Sequence, residues 1–266
     1  MATHRPTILF IHGMWLHAAS WEAWVRYFAQ SGYDAIAPGW PGEATTVLAA
    51  RAHPERVANH GIDDLVTHYS AVAQALPVAP IIIGHSVGGL IAQKMLGLGI
   101  GAAAVAIDPA QIKGVLALPL AQLRAGLPAL RNPWNRSRAV SLTESEFRFG
   151  FGNAIAEAES DALFDKWTIP SPARPLFEIA FANVSLHSAA EVNTRNSTRG
   201  PLLFVSGTAD HTVPDVSTRS AFRLYRRSSA LTELKQFNGR GHSLTIDSGW
   251  QVIASDVLAW LKANGL

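Results

Sequence analysis

A serine between glycines in Gly84-His85-Ser86-Val87-Gly88, a histidine in the run Gly239-Arg240-Gly241-His242, and aspartates at Asp210 and Asp108 give this chain the groups for nucleophilic catalysis. A serine hydroxyl attacks a carbonyl at neutral pH only when a general base takes its proton, and the base needs a partner that orients it and offsets its charge. The spacing G-x-S-x-G forces the serine into a strained turn, tolerable only if the positions two before and two after it lack a Cβ; Gly84 and Gly88 meet that demand. The run Pro80-Ile81-Ile82-Ile83 precedes the turn, and Leu90, Ile91, Met95 and Leu96 follow at helical spacing. This predicts strand, sharp turn and helix, with Ser86 at the apex and the first helical amides facing any anion formed there. In Val205 to Pro214 the carboxylate of Asp210 comes a few residues after a strand end, and in Phe237 to Ser243 the imidazole of His242 follows the last strand. Asp108, in Ile107-Asp108-Pro109 after an earlier strand, competes for the acid role.

Side chains so far apart in sequence can meet only if their loops leave one edge of a parallel sheet. Strand-like runs at Thr7–Ile11, Ala35–Ala37, Pro80–Gly84 and Ala103–Asp108 alternate with helical patterns that start at Trp21, Ile62 and just after Ser86. The same rhythm resumes with a strand at Pro201–Ser206, a helix over Ser217–Arg227, a strand at Thr232–Phe237 and a closing helix from Trp250 to Lys262. That is the βαβ order of a parallel sheet flanked by helices. In the first helix Trp21, Trp24, Val25 and Phe28 fall on one face, with Ser20 as N-cap and Gly32 just past the end.

From about Gln111 to Ser188 the pattern changes to short helical pieces broken by Pro119, Pro128, Pro133, Pro170, Pro172 and Pro175. The stretch carries Trp134, Phe147, Phe149, Phe151, Phe164, Trp167, Phe177 and Phe181, and reads as a helical cap, residues 111–188, inserted into a single domain, 1–266. Most of these aromatics are expected to form the insertion's own core, with a minority lining a pocket above the sheet edge.

With Phe10-Ile11-His12-Gly13-Met14 added, the chain resembles the α/β-hydrolase superfamily over nearly its whole length, on four motifs in the right order. The resemblance implies an α/β-hydrolase fold and assigns Ser86 as nucleophile, His242 as general base and acid, and Asp210 as the residue that orients His242. The oxyanion hole would be the backbone N–H groups of Met14 and Val87. Asp210 is preferred to Asp108 because the Thr-Ala-Asp-His-Thr-Val-Pro context is the commoner arrangement, although some relatives place the acid after the earlier strand. Relatives often begin with two extra strands, so a sheet of about six is expected here. A serine rather than an aspartate at position 86 argues against haloalkane dehalogenases and epoxide hydrolases. Plant hydroxynitrile lyases carry a lysine after the histidine, where this chain has Ser243. A perhydrolase or acyltransferase on the same triad, or a nearly silent ligand receptor, are the other readings the resemblance leaves open.

Trp15, Leu16 and Trp40 follow strand ends and, with His85, Phe147 and Phe151, are candidates to line the pocket. An apolar pocket favours a small or medium ester or lactone, while Arg124, Arg148 and Arg174 keep a carboxylate-bearing substrate in view. His12 and His17 invite a metal, but the sequence places no carboxylate or third histidine at ligand spacing, so no metal and no cofactor is expected. The 266 residues are 48% hydrophobic, with 22 basic and 20 acidic residues spread without blocks, so neither a nucleic-acid nor a membrane partner is indicated. There are no cysteines, which excludes thiol nucleophiles and disulfide frameworks. The start at Met1 to Pro6 lacks the pattern of a secretory signal, so the expected location is cytoplasmic. Oligomeric state is left open.

Overall fold

Successive residues of a strand face opposite sides of its sheet, and here both sets are apolar, as a parallel sheet covered on both faces requires. In the computed structural model, which describes residues 5–266, Ile8 and Phe10 point into one core and Leu9 and Ile11 into the other. The expectation for residues 1–4 lies outside that range. The strands are β1 (Ile8–Ile11), β2 (Ala35–Ile36), β3 (Ile81–His85), β4 (Ala103–Ile107), β5 (Ala139–Val140), β6 (Ser171–Pro172), β7 (Leu202–Gly207) and β8 (Thr232–Phe237). Six form one sheet in the order β2-β1-β3-β4-β7-β8, all parallel. The edge strand β8 places Glu233 and Lys235 among its exposed positions, which discourages pairing with another chain.

The helices are α1 (Glu22–Gln30), α2 (Val47–Ala52), α3 (Ile62–Gln74), α4 (Val87–Gly97), α5 (Leu120–Leu130), α6 (Glu144–Gly150), α7 (Glu157–Trp167), α8 (Arg174–Ala180), α9 (Asp215–Leu224) and α10 (Trp250–Ala263). Trp24 and Phe28 of α1 and Ile253, Val257 and Leu261 of α10 cover one face of the sheet. Leu65 and Tyr69 of α3 and Leu90, Ile91 and Met95 of α4 cover the other. Helix α4 is buried almost all round, so a sheet shift of one residue would displace apolar side chains worth about 1.5–3 kcal/mol each.

Two local readings differ. Ser20 sits inside a 3-10 turn, Ala18–Trp21, whose cap is His17 accepting from Ala19 N–H, and α1 begins one residue later. The insertion contains, besides α5–α8, the antiparallel pair β5–β6. Its aromatics divide: Phe147 and Phe151 stack at 4.9 Å in the buried layer, whereas Trp134 and Phe181 are exposed.

Among the bonds that tie the insertion to the rest of the chain, two sets flank the loops after β1 and β7. On one side Trp15 N–H donates to Ser171 Oγ at 2.6 Å, Trp15 Nε1 to Val140 O at 3.0 Å, and Ile169 N–H to Trp15 O at 3.0 Å. On the other, Asn153 Nδ2 donates to Ala209 O at 2.7 Å and Thr212 Oγ1 to Gly150 O at 2.9 Å.

Candidate active site

Ser86 stands immediately after β3 with φ 55° and ψ −120°, a left-handed conformation that an ordinary residue adopts only under constraint. The constraint is visible at the flanking glycines. A Cβ on Gly84 would lie 2.0 Å from Gly88 O, and one on Gly88 would lie 2.1 Å from Ile11 O. The turn is closed by Gly89 N–H donating to Ser86 O at 2.9 Å, and Ser86 N–H donates to Ile107 O at 2.9 Å.

Because the strands are parallel, the loops after β1, β3, β4, β7 and β8 open on one edge. His242, wholly buried, has Nδ1 2.6 Å from Asp210 Oδ2. The other oxygen of Asp210 accepts from Thr212 N–H at 2.7 Å and Val213 N–H at 2.9 Å, so the carboxylate is oriented by its own loop. With Nδ1 donating to a carboxylate, Nε2 of His242 is the basic nitrogen; it is buried and has no hydrogen-bond partner among the described residues, Ser86 Oγ included. Asp210 and His242 are therefore joined, and no hydrogen bond links Ser86 to His242. Such bonds commonly form only when substrate is bound.

Asp108 also reaches this cluster, but Oδ1 accepts from Gly207 N–H at 2.8 Å, so it braces β4 against β7 rather than bonding to His242. It is fully buried with φ 39°, and burial, reinforced by the charge of Asp210, pushes its carboxyl well above the usual carboxylate range. His85 Nε2 donates to His242 O at 3.0 Å, and burial followed by the proximity of His242 pulls its imidazole well below the ordinary value, which keeps it neutral. Its ring lies 4.5 Å from that of His242 and serves as a support. Among the described residues His85, Asp108 and His242 form the one group whose ligand atoms lie within 4.8 Å of one another. A metal there would engage the imidazole that a serine base needs.

The backbone N–H groups of Met14 and Val87 have no intramolecular acceptor among the described residues. Gly13 brings the loop after β1 against the serine: a Cβ on it would lie 2.7 Å from Ser86 Cβ. That loop is held from behind by Glu43, which sequence reading missed. Its Oε2 lies 3.0 Å from His12 Nε2, and its Oε1 accepts from Ala18 N–H at 3.0 Å and lies 3.6 Å from His17 Nε2. Spacing along the chain shows no carboxylate with His12 and His17, and in space Glu43 supplies one. The loop after β2 folds back over the one after β1, a contact that spacing along the chain does not show. Burial by itself would raise the Glu43 carboxyl, but His12 beside it, the Ala18 amide and His17 bring it below the ordinary value.

A narrow cavity of about 50 Å³ contains Ser86 and is lined by Met14, Trp15, Val87, Ala110, Gln111, Gln122, Ala125, Gly126, Leu176, Ile179, Thr212 and Val213. Of the expected pocket residues, Trp15 lies in it. Trp40 instead stacks on His12 at 5.1 Å, and Leu16 bridges to Thr168. Phe151 packs on the His242 ring at 4.8 Å, with Phe147 behind it. None of Leu16, Trp40, Phe147 and Phe151 lines the cavity; each is buried among the loops and the insertion. The cavity's far wall comes from α5 and α8, whose residues gave no catalytic signal in sequence. Arg148 pairs with Glu144, Glu157 and Asp161, Arg174 with Glu178, and Arg124 lies 3.9 Å over the Phe149 ring; none of the three lines the cavity. A larger open groove of about 520 Å³, lined by His17, Glu22, Arg26 and Glu43 among others, contains neither Ser86 nor His242. Among the described residues no helix is long and apolar enough to cross a membrane.

Comparison with known proteins agrees with this architecture. An extracellular α/β-hydrolase from a Paenibacillus species superposes with a TM-score of 0.70 at 18% identity, over 98% of this chain and 99% of that one. A monoacylglycerol lipase from Paleococcus ferrophilus gives 0.68 at 16% identity, over 98% and 95%. A methylesterase from Arabidopsis gives 0.67 at 13% identity, over 97% and 99%. No curated protein gives a significant sequence match. At these identities the structural likeness speaks for the fold. The sequence profile described as "Alpha/beta hydrolase family" matches residues 8–256, nearly the whole chain, and the protein belongs to that family.

Proposed function

We propose that the protein is a serine hydrolase of small or medium uncharged carboxylic esters, lactones included, acting through an acyl-enzyme on Ser86. One observation carries the reading: Asp210 holds His242 through Nδ1, which leaves Nε2 as a buried, unpaired base on the sheet edge where Ser86 stands in a strained turn. In this scheme Nε2 takes the proton of Ser86 Oγ as the oxygen attacks the carbonyl, and returns it to the leaving alcohol. Asp210 fixes the tautomer and offsets the imidazolium charge. The unpaired N–H groups of Met14 and Val87 receive the oxyanion, where one donor is typically worth about 10²–10³ in rate. Water then attacks the acyl-enzyme with His242 as base.

Residues 111–188 act as the cap of this single domain and wall the cavity with α5 and α8. The lining contains no charged side chain, which supports an uncharged substrate. Structural neighbours that include a lipase and a methylesterase fit ester chemistry. Against a lyase reading, Ser243 presents no cation and its Oγ is bound to Asp247.

The test is multiple-turnover hydrolysis of a short-chain aryl ester by the wild type, Ser86→Ala and Asp210→Asn, with all three shown to be folded. The expected loss is about 10⁴-fold or more for each variant. Turnover that persists in Ser86→Ala would overturn the acyl-enzyme, and turnover kept only in Asp210→Asn would move the acid role to Asp108.

A further inference from the structure

The cavity lining is apolar except for Ser86, Thr212 and a pair of glutamines, Gln111 just after β4 and Gln122 in the first turn of α5. Thr212 is already committed through both its N–H and its hydroxyl. The two glutamines are bonded to each other in a way that fixes which end of each amide is which. Gln111 Nε2 lies 2.5 Å from Ala117 O, and a carbonyl only accepts, so this atom is the nitrogen. The same nitrogen lies 3.0 Å from the nearer atom of Gln122, which must then be its oxygen, and Ser217 Oγ donates to that oxygen at 3.2 Å.

Both hydrogens of Gln111 Nε2 are therefore committed, shared among Ala117 O, Gln122 Oε1 and, at 3.1 Å, Ser217 Oγ, and Gln122 Oε1 accepts twice. What remains is Gln111 Oε1, an acceptor, and Gln122 Nε2, a donor, neither with an intramolecular partner among the described residues. Two adjacent amides, each immobilised through its inner end, present one acceptor and one donor at their outer ends. In a cavity with no charge and little other polarity, that pattern is complementary to a group that both donates and accepts. A secondary amide is such a group.

We propose that Gln111 and Gln122 form a specificity subsite for an uncharged amide carried by the ester substrate, near its reacting carbonyl. The proposal rests on the ester-hydrolase reading for its chemistry and deepens it by naming the substrate class: esters with an N-acylamino group rather than plain alkyl esters. An alkyl chain placed there leaves both amide ends unpaired and dehydrated, so it is selected against by the loss of two hydrogen bonds.

The probes are the 4-nitrophenyl esters of N-acetyl-β-alanine and of hexanoic acid, which match in chain length, with each rate divided by the ester's own alkaline hydrolysis rate. The wild type is expected to favour the amide ester by about tenfold or more in kcat/KM. Gln122→Glu keeps the oxygen that bonds Gln111 and Ser217 and turns the outer donor into a charged acceptor, so the ratio is expected to fall to about one or below. Gln122→Leu, which removes both ends, gives the same direction.

Binding of N-acetyl-β-alanine methyl ester and of methyl hexanoate to Ser86→Ala reads the subsite without turnover. An equal ratio in the wild type with both esters cleaved, or a preference that Gln122→Glu leaves intact, overturns the subsite while the hydrolase reading stands. A binding preference in Ser86→Ala that Gln122→Glu removes, with neither ester cleaved by the wild type, upholds the subsite and overturns the hydrolase reading.

Discussion

The main-chain amide of Trp15 donates to the hydroxyl of Ser171 at 2.6 Å, so the residue next to Met14 is tied to the insertion rather than to the sheet from which its loop emerges. Trp15 has φ 64°, and that bond, with the indole N–H on Val140 O, holds it in a conformation a tryptophan otherwise avoids. Ser171→Ala leaves this buried amide without an acceptor. The variant is expected to lose about 1–3 kcal/mol in urea unfolding, and kcat should fall by about tenfold with little change in KM, because the loop presenting Met14 N–H loosens. Unchanged kcat would show that the loop holds its shape without the serine.

Gly13 and Gly88 separate chemistry from folding. A methyl group at position 88 meets the backbone carbonyl of Ile11 at 2.1 Å, and backbone cannot step aside, so Gly88→Ala is expected to lose about 3 kcal/mol or more and to accumulate poorly. At position 13 the methyl meets Ser86 Cβ at 2.7 Å and His85 O at 3.2 Å, a milder clash that falls on the serine turn itself. Gly13→Ala is expected to fold, as judged by its thermal transition, and to lose most ester turnover. A folded, fully active Gly13→Ala would place the reacting carbonyl elsewhere.

Asp108 predicts a stability difference that depends on pH. Its carboxyl is raised in the folded state, so its contribution is complete below the unfolded value of about 3.9 and is lost as pH rises through the folded value. Asp108→Asn can still accept from Gly207 N–H and has no charge to bury. It should therefore gain stability relative to the wild type between pH 4 and pH 8, measured by urea unfolding at both, and keep turnover within about threefold. A collapse of turnover would transfer the acid role to this residue.

Glu43 runs the other way. Its carboxyl is lowered in the folded state, so its stabilisation is present above the unfolded value of about 4.3 and disappears as pH falls through the folded one. Glu43→Gln should be less stable than the wild type at pH 7, with the gap closing toward pH 3. Because His12 and Ala18 lose their charged partner, a drop of about tenfold in kcat is expected alongside. A pH-independent gap would mean that packing rather than charge holds the loop.

The elements that sequence reading placed well are those whose pattern has one physical cause. Gly84 is dictated by a contact inside the turn, with Gly88 O, Gly88 by the close passage of Ile11 O, and the strand runs by burial on both faces. Helix α2 escaped notice because Val47-Leu48-Ala49-Ala50 shows no apolar stripe and only Ala50 is buried. Strands of two residues, such as β5 and β6, are too short for any periodicity to register. Glu43, Gln111 and Gln122 were missed for a different reason: their partners lie on other loops or on the insertion, and nothing local marks a carboxylate that will face a histidine 31 residues away. The Trp40, Phe147 and Phe151 side chains were read as pocket lining because aromatic residues near strand ends serve packing and binding alike.

The double attachment of the insertion, to Trp15 on one flank and to Ala209 and Thr212 on the other, bears on how this protein could be re-engineered. Loops from β1 and β7 are separated in the sheet by β3 and β4, and the insertion spans that gap. Exchanging it as a unit for another enzyme's lid would release the loop beside Met14 and the loop bearing Asp210 together. Selectivity can be altered piecemeal instead, along the α5 and α8 positions that wall the cavity, because those side chains carry neither attachment.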